Sequence, residues 1–168
     1  EADLLARAKL VQANIDYNVG LKPIQFGDGI GKEEPIAVVG FGPSLRETWE
    51  QLRGYRYIWT VSGAHDFLLA RGITPTYHTD VDWQPHKPYF IAVPHPEVQY
   101  RMCNGIHPSY TEKLREFQLT MFEPMDMSPK MYKPAGIYPT SPKCGNAGQQ
   151  AALLAKQDGW REQHWFGF

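Results

Sequence analysis

Between Pro35 and Val81, three short runs of apolar, β-branched and aromatic residues are separated by two stretches of helical periodicity. Pro35–Val39, Tyr57–Val61 and Thr76–Val81 read as strands, because a strand covered on both faces of a parallel sheet is a near-continuous apolar run. Leu45, Trp49 and Leu52 recur at i, i+4 and i+7 and predict a helix ending near Gly54; a second helix runs through Phe67, Leu68 and Leu69. Ser62 is the expected cap of that second helix and Gly72 its left-handed C-terminal residue. The order β-α-β-α-β with short connections implies a parallel sheet with crossover helices.

The remaining chain extends the same pattern. Tyr89–Val93 predicts a fourth strand and Gln118–Phe122 a fifth, with a charged helical turn over Tyr110–Phe117 between them. Glu123–Pro142 carries five prolines and reads as an irregular excursion or lid. Ala147–Gln157 predicts a helix and Gln163–Phe168 a last strand. Ahead of the sheet, Leu4, Leu5, Ala8, Val11 and Ile15 predict an amphipathic helix over about Ala2–Asn18 that packs on the domain, followed by a glycine-containing loop or linker over Gly20–Glu34. The expected fold class is α/β: a Rossmann-like three-layer domain with a mostly parallel sheet and an added N-terminal helix. Residues 1–34 form the expected helix and linker, and residues 35–168 the nucleotide-binding domain. A start without Met and an apolar ending, Trp165–Phe168, give the expectation of a piece of a longer polypeptide, with further site residues beyond Phe168.

A chain of 168 residues can bury a core without a metal or disulfide. Its net charge of −1 and lack of any Lys/Arg run remove the footprint of a binder of polymeric nucleic acid. No stretch is long and apolar enough for a membrane span, and Glu1-Ala2-Asp3 lacks the basic and apolar regions expected of a signal peptide. Cys103 and Cys144 stand far apart, which argues against a zinc ribbon or a secreted disulfide framework and for a cytoplasmic location. The six histidines show no metal-binding spacing, so zinc is not expected.

Three constellations can carry chemistry. Val38–Leu45 runs from a strand through Gly40, Gly42, Pro43 and Ser44 into a helix; it is either a tight structural turn or a cradle in which backbone amides and the Ser44 hydroxyl receive a phosphate. It lacks the third glycine of the dinucleotide fingerprint and the Gly-Lys-Ser/Thr of a P-loop. Asp80 and Asp82 flank Val81 at the carboxyl end of the third strand, where open α/β sheets bind ligands, and could hold Mg²⁺ against a pyrophosphate or bond a ribose. Otherwise they are solvated carboxylates in a turn. Cys144–Gln149 opens the last helix with Gly145 and Asn146 free for close approach or for a helix cap. His107, in the Asn104–Pro108 loop, is a candidate acid, base or phosphate contact, whereas His78 reads as a hydrogen-bonded core residue.

Taken in order, Gly40-x-Gly42-Pro43-Ser44-Leu45, Gly72-Ile73-Thr74-Pro75 leading to Asp80 and Asp82, and the Gly145–Phe168 helix and strand resemble the MptE-like family. That family includes archaeal 6-hydroxymethyl-dihydropterin diphosphokinases and motility-associated-factor proteins implicated in flagellin glycosylation. The Gly-x-Gly-Pro-Ser-Leu turn is also similar to that of bacterial sialyltransferases that use a CMP-activated sugar. The resemblance implies a nucleotide-dependent transferase, moving a pyrophosphoryl group from ATP or a sugar from a nucleotide sugar, with Mg²⁺. It implies phosphate contacts at Gly40, Gly42, Pro43 and Ser44, catalytic or metal-binding roles at Asp80 and Asp82, and Gly145 and Asn146 facing the ligand; His107 would handle a proton. The alternative is a non-catalytic nucleotide- or glycan-binding module of a larger enzyme.

Overall fold

The computed structural model describes residues 2–27, 32–85, 91–125 and 135–168. After helix α1 (Ala2–Asn18), the chain forms β1 (Ile36–Val39), α2 (Leu45–Thr48) continued by a 3₁₀ turn over Trp49–Gly54, β2 (Tyr57–Val61), α3 (Ala64–Leu69) and β3 (Tyr77–Thr79). Then come β4 (Gln99–Cys103), α4 (Pro108–Leu114), β5 (Gln118–Met125), β6 (Thr140–Pro142), α5 (Ala147–Gln157) and β7 (Gln163–Phe166). The seven strands form one sheet in the order β6-β5-β4-β3-β2-β1-β7, and every pairing is parallel. This is the expected α/β, Rossmann-like architecture.

The order records a single reversal. From β1 to β6 each strand is laid beside its predecessor, and β7 then returns to the free side of β1. Parallel crossovers are right-handed, so the helices of the outward run share one face and α5, on the return, takes the other. The alternation of β1 agrees. Ala37 and Val39 pack with Leu45, Leu52, Ala64 and Leu68, whereas Ile36 and Val38 belong to the cluster that includes Ala151, Leu154 and Ala155. Gly72 and Gly159, at φ of 70° and 97°, end α3 and α5. In each case the following amide reaches back to the carbonyl five residues earlier, Ile73 to Leu68 and Trp160 to Ala155, both at 3.0 Å.

Four expectations are corrected. The fourth strand is Gln99–Cys103 rather than Tyr89–Val93; residues 91–93 form a bend, while 89 and 90 lie outside the described residues. The proline-rich stretch supplies the end of β5 and the short edge strand β6, and 126–134 lie outside the described residues. Ser62 does not cap α3: it adopts φ 50°, and Gly63 takes the cap position without a side-chain bond. The third strand stops at Thr79, so Asp80 and Asp82 stand just past it. His78 is buried among Thr60, His65 and Tyr100.

The segment after α1 is joined to the sheet. Ile24 N–H donates to Met121 O and Met121 N–H to Lys22 O, both at 2.8 Å, along the part of β5 that β6 leaves open. Asp158, past the end of α5, accepts from Gly27 N–H and Lys32 and pairs with Arg101 of β4. Burial alone would push this carboxyl up, but Arg101, the Gly27 amide and Lys32 together hold it below its usual range.

Candidate functional site

The carboxyl ends of β3 to β6 and the flank of α1 enclose a cavity of about 360 Å³. Open parallel sheets bind ligands at this edge, and the size falls within that of small-molecule sites. From the sheet, Val81, Asp82 and Trp83 follow β3, Asn104 and Gly105 follow β4, and Lys143 to Asn146 lead from β6 into α5. From α1 come Leu4, Arg7, Ala8, Val11 and Ile15.

Two buried asparagines fix α1 there. Asn14 Nδ2 donates to the carbonyls of Trp83 (3.1 Å) and Gly105 (3.0 Å), and Asn18 Nδ2 to those of Asn104 (2.8 Å) and Ile106 (3.0 Å). These loops follow strands that end at the edge and would otherwise leave carbonyls unpaired as the helix covers them. Asn104 is buried and donates to Glu123, whose carboxylate also accepts the amides of Ala135 and Gly136.

The candidate residues divide into two groups. Asp82, Gly145 and Asn146 line the cavity together. Asp82 Oδ1 accepts the Gln84 amide and its carbonyl accepts that of His107. Asn146 caps α5 through Gln149 N–H, and the amides of Cys144 and Gly145 are taken by the side chains of Gln150 and Gln149. Asp80 stands behind this wall, buried, with Oδ1 accepting from the Val81 and Asp82 amides and Oδ2 from Tyr110. His107 is the cap of α4: its Nδ1 accepts from Ser109 N–H and meets Ser109 Oγ at 2.8 Å. Burial raises both thiols, Cys103 to about 12, so neither Cys103 nor Cys144 is a thiolate at neutral pH.

The Gly40–Ser44 turn lies on the same edge two strand spacings from β3, roughly 10 Å, beside a separate pocket of about 210 Å³ bordered by Phe41, Pro43, Arg46 and Phe67. Its glycines face the chain itself. Gly40 N–H donates to Phe166 O and Gly42 N–H to Gly167 O, both at 2.8 Å, and a Cβ on either glycine would stand 2.6 or 2.7 Å from Gly167 O. Ser44 makes no capping bond. Gly148 likewise admits the Phe168 ring, which a Cβ there would meet at 2.1 Å.

Among the described residues no group of three or more His, Cys, Asp or Glu side chains stands together as a metal cage. Mg²⁺ at a phosphate site needs only one or two carboxylates beside the ligand's own oxygens. Asp82 fits that part; Asp80, turned to three donors, does not.

Burial pushes the Asp80 carboxyl up to about 6, the Val81 amide pulls it partly back, and the Asp82 charge raises it again. A folded pKa above the unfolded one gives stability that is complete at pH 4 and below and is lost as pH rises through 6. Asp80→Asn keeps an acceptor for the two amides and removes the buried charge, at roughly 2–3 kcal/mol from about 1.4 kcal/mol per unit. The variant should therefore melt about 5–10 °C above the parent at pH 8, with the gap closing towards pH 4. His65 and His78, which burial holds below their usual value, lower stability as pH falls below about 6.5. Parent and variant share that acid limb, and thermal melts of the two at matched pH isolate Asp80.

A parallel sheet with a cavity at its carboxyl edge, roofed by a helix, defines a Rossmann-like α/β domain. The family model described as 6-hydroxymethylpterin diphosphokinase MptE-like matches residues 11–159, and the chain belongs to that family. Among solved structures, a MAf glycosyltransferase from Magnetospirillum magneticum AMB-1 shares the fold at a TM-score of 0.76 and 20% identity. The match covers 96% of this chain and 27% of that one. No curated protein sequence matches the chain. Among the described residues no helix is long and apolar enough to cross a membrane.

Sequence reasoning had not singled out Arg7, Trp83, Lys143, Asn14 or Asn18. A usable signal existed for two of them: Asn14 and Asn18 fall on the same helical stripe as Val11 and Ile15, and polar side chains on an inward stripe need partners.

Proposed function

We propose that the chain binds a nucleotide or nucleotide-activated substrate in the β3–β6 cavity and serves a transferase. The observation that carries this reading is the cavity itself, where Asp82, Arg7, Lys143 and Asn146 meet at the edge of a parallel sheet. Membership of a family described by a diphosphokinase supports it, as does a fold shared with a glycosyltransferase. Both activities act on a group joined to phosphate. Because the Gly40 and Gly42 amides are bonded to the carbonyls of Phe166 and Gly167, we assign the phosphates to the cavity rather than to that turn.

In this reading Asp82 would hold Mg²⁺, and the ion would supply neutralisation of the ligand's phosphate charge. Arg7 and Lys143 complement the same charge, and the Asp80 and His107 contacts hold the Asp82 backbone in place. Thermal melts with ATP, CMP, CDP, UDP and GDP, with and without Mg²⁺, test it. At least one nucleotide at about 100 times its Kd should stabilise the protein by roughly 2.7 kcal/mol, more with Mg²⁺ than without. Asp82→Asn should abolish the Mg²⁺ increment and any turnover. No shift with any of the five would refute the assignment.

A further inference from the structure

Two hydrogen-bonded series of carboxylate, imidazole and tyrosine hydroxyl occur among the described residues. In the first, Asp66 Oδ1 meets His65 Nδ1 at 2.6 Å and His65 Nε2 meets the Tyr100 hydroxyl at 2.9 Å. Tyr100 is fully buried and its oxygen also accepts the His95 amide at 2.8 Å, so this series belongs to the interior and no reagent reaches it. The second lies at the surface. Glu162 and His164 are two residues apart on the extended chain that enters β7, which puts both side chains on one face. His164 Nε2 lies 2.7 Å from Glu162 Oε1, and His164 Nδ1 is hydrogen-bonded to the hydroxyl of the partly exposed Tyr55. The Tyr55 ring rests edge-on against Phe166 and His164, which holds the hydroxyl in place. Tyr55 precedes β2 and Glu162 precedes β7, so the group stands at the amino edge of the sheet, opposite the cavity.

An ionised carboxylate can only accept, so Glu162 fixes the ring proton on Nε2 and leaves the Nδ1 lone pair to take the Tyr55 proton. Hydroxyl, base and orienting carboxylate in this order are the signature of an activated nucleophile. Burial and the Glu162 charge raise the Tyr55 pKa, so the phenol is protonated at neutral pH and attack through its oxygen requires a base. We propose that Tyr55 is a nucleophilic site for activated acyl esters, with His164 as its general base and Glu162 as the positioning residue. The phenol oxygen bonds to the acyl carbon, the ester's leaving group departs with its electron pair, and the phenol proton passes to His164 Nδ1. The imidazolium, held by Glu162, releases that proton to solvent, and the product is an O-acyltyrosine. The site is independent of the nucleotide reading.

The test is p-nitrophenyl acetate, with acetylated residues located by peptide mass spectrometry in the parent chain, His164→Gln and Glu162→Gln. Tyr17 is the internal control: it is 48% exposed, and its hydroxyl donates directly to Glu112 with no imidazole between. Exposure alone would make Tyr17 the faster of the two, whereas the imidazole favours Tyr55. Tyr55 should acetylate about tenfold faster than Tyr17, and His164→Gln should remove about tenfold or more of its rate, at the low end of general-base effects. Glu162→Gln should fall between. Both variants change half-exposed side chains and should melt within about 2 °C of the parent. The parent's Tyr55 rate should rise with pH and level off once His164 is neutral, whereas in His164→Gln it should keep climbing as the phenol itself ionises. A merely structural bond would leave the two profiles alike. Tyr17 acetylated as fast as Tyr55 in the parent, acetyl on His164 with none on Tyr55, or a Tyr55 rate and pH profile unchanged in His164→Gln would each overturn the proposal. The first two readings need no variant to fold.

Discussion

Gly40→Ala should lower the melting temperature of the ligand-free protein by about 6–12 °C, while Gly54→Ala leaves it within about 2 °C. A Cβ at Gly40 would stand 2.6 Å from Gly167 O and 3.3 Å from Gly167 C, backbone atoms that cannot turn aside, whereas nothing lies within 4 Å of a Cβ at Gly54. The crowded substitution forces β1 and the end of β7 apart and strains the bond from Gly40 N–H to Phe166 O. Overpacking of this kind costs about 3 kcal/mol, and a chain of this size loses roughly 2–4 °C per kcal/mol. Hydrogen exchange locates the damage: β7 amides should lose protection first, because among the described residues β7 is the edge strand of the sheet, paired with β1. Were the glycine there to admit a ligand phosphate, the free protein would melt unchanged and only ligand affinity would fall.

That contrast defines what a Gly-x-Gly turn discloses in a sequence. It announces that backbone comes close, without saying whose. Here the visitor is the chain's own Gly167, just past β7, and likewise the Phe168 ring at Gly148. Strands β1, β2 and β5 were legible because both faces of each are covered and apolar residues follow one another. β4 was not, since Gln99-Tyr100-Arg101-Met102-Cys103 carries a cation in mid-strand. Arg101 is buried with its guanidinium 4.1 Å from the Tyr77 ring centroid and 5.1 Å from that of Trp59, and it is paired with Asp158 across more than fifty residues of sequence. No local pattern carries that. β6 is a three-residue edge strand containing proline, which needs to donate little to a ladder. For the cavity, Asp82, Gly145 and Asn146 could be read from their places at the carboxyl edge. Arg7 and Trp83 could not, because their proximity is made by the docking of α1 rather than by the sheet.

Asn18→Ala should be the most damaging change at that docking, costing about 2–4 kcal/mol and weakening any cavity ligand along with it. Asn18 is fully buried, and its amide is the donor for both Asn104 O and Ile106 O. Alanine leaves two covered carbonyls unpaired, and a stranded buried acceptor costs about 1–3 kcal/mol. Helix propensity returns some tenths of that, since alanine is the better helix former, and the Asn18 Oδ1, itself buried without a partner, is removed as well. The bond from the Tyr138 hydroxyl to Asn18 O does not involve the substituted side chain, so residual loss is assignable to the amide. In native-state exchange, α1 amides should open at lower free energy while those of β1 and β2 stay at the global limit. Asn14 makes the equivalent pair of bonds to Trp83 O and Gly105 O. The two sites clamp adjoining loops through one rigid helix, so Asn14→Ala and Asn18→Ala should be non-additive: once the first clamp opens and water reaches the loops, the second loses less. A double variant whose cost equals the sum of the singles would show that α1 is held residue by residue, and that the cavity wall does not move as a unit.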